Sequence, residues 1–211
     1  FHACSEMMGT PANWAGVQAP FEGEGYVGLV LTAHGGGECS TREFVQLPLE
    51  NPLVNGGKYH LSFRVSLADR TGYMTDRIGA CFTSEDRSGK NGLGDRSGRA
   101  DIDNTMNRFI ADTSGWMVVE GIYNARGGER YIQIGNFQLC DRTSRKAVTP
   151  NRGKGVLANA KKSGDAHLDP DRTRGLRRRL LATQAYVYVD AVSLINLRGS
   201  AEVHVLLADS A

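Results

Sequence analysis

Long hydrophobic runs are missing from this sequence. Its longest apolar stretches, residues 27–31 and 186–189, are strand-sized and fall well short of the roughly 18 residues a membrane-spanning helix needs, so none of it reads as a membrane span. Histidine is sparse: five residues, at 2, 34, 60, 167 and 204, stand singly, and no metalloprotease, phosphate-loop, nucleophile-elbow or EF-hand spacing occurs. The four cysteines, at 4, 39, 81 and 140, lie 35, 42 and 59 residues apart, which excludes a zinc knuckle or a redox pair. Cys4, Cys39, Cys81 and Cys140 are then either buried thiols or one or two disulfides of an exported protein, with three pairings open. Neither charge sign dominates: 25 basic and 23 acidic residues give a net +2, with 40% hydrophobic residues. That composition excludes wholesale disorder, collagen and coiled coil.

Glycine is what the sequence has in plenty, 26 of 211 residues against only 6 prolines, a punctuation of flexible turns between short strands. Alternation with the period of a sheet recurs at 26–31, 43–49, 58–67, 78–82, 116–123, 131–139 and 186–195, and no segment of the body keeps a helical apolar stripe. These residues predict an all-β antiparallel sandwich. Charge is unevenly spread. Residues 141–180 hold 12 of the 25 basic side chains and 4 of the 23 acidic ones, a net +8, so the rest carries 13 against 19, a net −6. With few large apolar residues and no aromatic, 141–184 reads as a solvated basic insert. The numbering predicts one domain over 1–200 containing that insert, then a tail over 201–211. The first residue is Phe1 rather than Met, which reads as a processed or trimmed start.

Several motifs read as ordinary structure. Residues 23–28 satisfy GxGxxG, but a strand follows where a dinucleotide site needs a helix. His60 reads as a plain strand histidine. Glu22, Glu24, Glu43 and Glu120 supply carboxylates for glycoside hydrolysis, which needs two of them about 5 to 9.5 Å apart, yet read as strand and turn charges. Asp86, Asp95, Asp101 and Asp103, around the echo DRSGK and DRSGR, are hard oxygen donors of the kind calcium takes and read as a polar hairpin loop. Arg177, Arg178 and Arg179 could neutralise phosphates, but without interleaved aromatics for base stacking no specific nucleic-acid site is expected.

The ordered series FHAC, PANWAGVQAPFEGEGYVGLV, REFVQLPLENPLVNGGKYHLSFRVSLAD, DRIGACF, GWMVVEGIYNARGGERYIQIGNF and YVYVDAVSLI resembles the galactose-binding-like jelly-roll modules of exported bacterial proteins. Its likeness is to the domains found with outer-membrane OmpA-type proteins of Bacteroidota and, more distantly, to carbohydrate-binding modules, over residues 1–139 and 185–196. The resemblance implies a non-catalytic jelly-roll β-sandwich, secreted or at the bacterial cell surface, that can hold a structural calcium ion. Asp190 matches the family's ligand position, and Gly23 and Gly25 its early turn. The family's opening strand would precede Phe1, leaving an open sheet edge. Val203, Val205 and Leu207 in the tail could fill that edge in their own sandwich or insert into a neighbour.

Two functions follow. The first is recognition of a glycan or cell-surface polymer, which needs aromatic faces for sugar C–H groups beside polar side chains. Trp14, Tyr26, Tyr73 and Tyr123 are the candidates, Trp14 and Tyr73 first because they lie in turn-rich stretches, while Trp116 is expected inside. The second is a structural subunit that assembles copies of itself into a filament, sheath or surface layer, through Val203, Val205 and Leu207 and through Arg177, Arg178 and Arg179 on acidic faces. No constellation with catalytic roles is present, so no enzymatic activity is expected.

Overall fold

The computed structural model describes residues 9–33, 42–87, 99–150, 181–198 and 202–203. Those residues form an antiparallel β-sandwich, in agreement with the sheet period of the sequence. The larger sheet is built on β12 (Gln184–Asn196), whose one edge pairs with β5 (Lys58–Leu67), itself paired with β9 (Met117–Asn124). On the other edge of β12 lie β3 (Val27–Ala33) and, further along, β13 (Glu202–Val203). The smaller sheet runs in the order β4 (Phe44–Pro48), β10 (Tyr131–Gly135), β7 (Gly79–Thr83), β8 (Ile102–Asp103). A short hairpin of β1 (Ala12–Asn13) and β2 (Gly16–Val17), and a ribbon of β6 (Tyr73–Thr75) with β11 (Arg145–Ala147), complete the described strands.

Alternation sets which side chains meet. Tyr59, Leu61, Phe63, Val65 and Leu67 of β5 all face inward and join Val187, Val189 and Leu194 of β12, Phe82 of β7 and Ile132 and Ile134 of β10 in one core. Fully burying each such side chain contributes about 1.5–3 kcal/mol. Tyr186 and Tyr188, one residue out of phase with Val187 and Val189, stand on the outer side of β12. They form a second cluster with Ala15, Tyr26, Val30, Ala68 and Leu181, against which Trp14 and Trp116 pack. Between Asp190 and Ser193 the pairing with β5 slips at a bulge, where Ala191 takes φ 48°, so both faces of β12 stay in register with their clusters.

The sequence reading requires three corrections. The strand expected over 131–139 stops at Gly135. Trp116, expected inside the sandwich, lies half-buried in the outer cluster instead. The basic stretch 141–184 is not wholly an insert: Arg145–Ala147 pairs with β6, and Leu181 is buried in the outer cluster. Gly72 holds both ends of this stretch, its N–H donating to Leu181 O (2.8 Å) and its carbonyl accepting from Val148 N (2.9 Å). A backbone approach this close leaves no room for a side chain, and a Cβ at Gly72 would run into the Ala182 carbonyl. Gly72→Ala is therefore expected to lower unfolding free energy by about 1–3 kcal/mol, read by urea denaturation; an unchanged midpoint would contradict this packing.

Candidate functional site

Two of the four proposed sugar-stacking aromatics belong to the interior. Tyr26 is 5% exposed, and its hydroxyl accepts from Asn13 Nδ2 (2.8 Å) and donates to Gln18 O (3.0 Å). Asn13 Oδ1 accepts in turn from the Tyr188 hydroxyl and from the amides of Ala15 and Gly16. Asn13 thereby pins the first hairpin over the outer tyrosines. Tyr123 is also 5% exposed, stacked on Phe82 with centroids 4.0 Å apart, and its hydroxyl donates to Glu129 Oε1 at 2.5 Å. Glu129 further accepts from the amides of Arg126 and Gly127, locking the β9–β10 turn. Neither ring is available to a ligand, because each fills a packed site and its hydroxyl is engaged within the fold. Burial pushes the Tyr26 phenol up to about 12, opposed by the Asn13 hydrogen bond. Burial first, and then the Glu129 hydrogen bond, raises Tyr123; burial likewise raises Tyr186 and Tyr188.

Trp14 is half-buried, edge-on to Tyr186 at 5.3 Å. Tyr73, on β6, is half-buried beneath the Arg145 guanidinium, 5.7 Å from its ring centroid. Trp14 packs on the outer cluster while Tyr73 belongs to neither cluster.

Asp190 is 3% exposed and its carboxylate accepts from three amides: Phe21 N (2.6 Å) and Glu22 N (3.3 Å) at Oδ2, Ala191 N (2.7 Å) at Oδ1. Gly23, at φ 61°, lies in the turn so capped. Amide N–H groups aimed at the carboxylate suit an anion. These three contacts make Asp190, the residue the family resemblance offered with Gly23 and Gly25 for calcium, a cap on the turn at 21–22. Among the described residues no group of three or more His, Cys, Asp or Glu side chains could hold a metal ion. Of the acidic loop, Asp101 accepts from Phe82 N and Asp86 from Gln46, while Asp95 lies outside the described residues. Glu43, weighed for glycoside hydrolysis, accepts from Val30 N (2.8 Å), and Glu120 pairs with His60 at 3.3 Å.

Cys81 is buried on β7; Cys4 and Cys39 lie outside the described residues, and Cys140 opens a 3-10 turn. Of the assembly residues, Val203 pairs with Leu194 of its own chain, adding this part of the tail to its own sheet. Val205, Leu207, Arg177, Arg178 and Arg179 lie outside the described residues.

A different surface gathers the chemistry a ligand needs. On β10, Tyr131 and Gln133 alternate with the inward Ile132 and Ile134, so they stand on the outer face of the smaller sheet. Register sets Pro48 and Thr83 beside Tyr131, and Gln46 and Cys81 beside Gln133. Gln133 Nε2 donates to Gln46 Oε1 (3.0 Å), Gln46 Nε2 donates to Asp86 Oδ1 (2.7 Å), and Arg87 N donates back to Gln46 Oε1 (3.1 Å). A ladder of amides and a carboxylate therefore crosses two strands and reaches the segment after β7, next to the half-exposed ring of Tyr131. The sequence reading missed these residues, although the alternation Tyr-Ile-Gln-Ile puts an aromatic and an amide, the latter only 9% exposed, on the outer face of an otherwise apolar strand.

No protein-family model matches the chain, and no curated protein matches it. A solved structure described as "PbXyn10C CBM APO" is similar to it with a TM-score of 0.36 and 9% identity, over 84% of this chain and 70% of that one; so loose a likeness carries no functional argument.

Two outcomes follow from this geometry. Asp190→Ala removes the acceptor of three amides and is expected to destabilise the fold by about 2–4 kcal/mol, read in denaturant; a loss within experimental error would contradict the turn-cap role. Because the folded phenols sit above their unfolded value, their contribution to stability is complete below about pH 10 and is lost as pH rises beyond it. A spectrophotometric titration should show four of the seven tyrosines ionising late, together with loss of near-ultraviolet ellipticity. Ionisation of all seven near pH 10 with the fold intact would refute their burial.

Proposed function

We propose that this chain is a non-catalytic, extracellular β-sandwich module that binds a glycan on the outer face of its smaller sheet. The observation that carries the reading is the half-exposed Tyr131 beside the hydrogen-bonded ladder of Gln133, Gln46 and Asp86. A sugar ring offers two chemistries at once, C–H groups on its faces and hydroxyls around its rim. An aromatic ring meets the first, and amides with a carboxylate meet the second by donating and accepting side by side.

Rigidity supports the same reading. The ladder's amides sit on paired strands and are already oriented by one another, so little side-chain entropy remains to be lost on binding. Gln133, only 9% exposed, orients Gln46 through its amide hydrogen, and the less buried Gln46 and the exposed Asp86 are the members of the ladder that meet a ligand. Arg87, its guanidinium 3.4 Å from Glu85, adds a charged donor at one end.

The test is binding of the whole chain to an array of neutral polysaccharides and oligosaccharides. Tyr131→Ala and Gln46→Ala are each expected to weaken affinity about tenfold, equivalent to roughly 1.4 kcal/mol, with the thermal midpoint of Tyr131→Ala near wild type. Trp14→Ala should leave affinity unchanged. Absence of glycan binding by the wild-type chain, or loss with Trp14→Ala alone, would overturn the proposal.

A further inference from the structure

The ribbon of β6 and β11 carries cations that no carboxylate among the described residues neutralises. Arg77, Arg87 and Arg126 each have a carboxylate at 3.3 to 3.6 Å. Among the described residues none is so placed for Arg145, Lys146 or the neighbouring exposed Arg108 and Arg142. Two of these cations are held by rings: the Arg145 guanidinium lies 5.7 Å from the Tyr73 centroid, and Lys146 Nζ lies 4.0 Å from that of Phe109. Such stacking fixes a charged head without cancelling its charge. Arg145 and Lys146 are adjacent on a strand, so they leave it on opposite faces. Among the described residues β11 pairs only with β6, so the two cations flank a strand edge that no other described strand covers.

We infer that this edge is a second binding site, separate from the Tyr131 face, for an acidic polysaccharide carrying one carboxylate per sugar. The guanidinium fork and the ammonium group are donors without acceptors, matched to carboxylates. Charge density selects the polymer. Duplex DNA presents one charge per about 1.7 Å, which calls for a long basic track. Among the described residues the cations here are Arg108, Arg142, Arg145 and Lys146, with Asp141 also exposed. The faces of Tyr73 and Phe109 are taken by the protein's own cations, which removes them as stacking platforms for bases. The choice of a polysaccharide rests on the carbohydrate-binding reading above; the charge argument stands apart from it.

The experiment is affinity electrophoresis and titration calorimetry of the whole chain with polygalacturonate, neutral dextran and duplex DNA at two salt concentrations. Polygalacturonate should bind, weaken as salt rises, and lose about tenfold or more in affinity in Arg145→Glu/Lys146→Glu. Lys146→Glu alone, an exposed position, gives a partial loss and serves if the double variant folds poorly. Any neutral glycan found for the Tyr131 face should bind the double variant like wild type, so the two proposals fail separately. The inference is overturned if polygalacturonate does not bind, if DNA binds as tightly, or if uronate binding survives charge reversal and is lost in Tyr131→Ala.

Discussion

Everything in this sandwich hangs on one long-range pairing, that of β5 with β12. Tyr59 lies opposite Asn196 and Leu67 opposite Val187, so about 130 residues of chain must close into a loop before the central ladder forms. Once it exists, β9 adds to one side and β3 to the other, and the inward rows of β5 and β12 present a continuous apolar surface to the smaller sheet. The closure is entropically unfavourable, and the aliphatic and aromatic rows on both strands offset it.

The same pairing explains why the two faces of β12 differ. Val187, Val189 and Leu194 belong to the inner core, whereas Tyr186 and Tyr188 meet the first hairpin, held over them by Asn13 and by the cap that Asp190 places on the turn at 21–22. The outer side of the larger sheet is in that region a second, aromatic core. The outer side of the smaller sheet, along β10 and β4, carries amides and a half-exposed tyrosine instead.

Strand positions and the all-β class were legible in the sequence because a period of two survives wherever one face is buried; β5 was read to the residue, and β3, β4, β7, β9 and β12 within about two residues at either end. Short pairings such as β6 with β11 were not, since three residues give no period to detect. The aromatics were read wrongly for a related reason. Tyr26 and Tyr123 look like exposed platforms in the sequence, but their burial is decided by Asn13 and Glu129, partners supplied by turns whose positions no local pattern reveals. Asp190 was read only as the ligand position of a family resemblance, and its hydrogen bonds depend on where the amides of residues 21 and 22 arrive. Gln46 and Gln133, 87 positions apart, become one feature only through strand register.

The most direct test of the central claim is a chemical-shift map of the isotope-labelled chain on titration with the neutral oligosaccharide it binds most tightly. The account predicts that the side-chain amide signals of Gln46 and Gln133, and the ring signals of Tyr131, shift together and saturate with one affinity. Shifts confined to Trp14, Tyr73 or the open face around His60 and Ile122, with the glutamine amides unmoved, would contradict it.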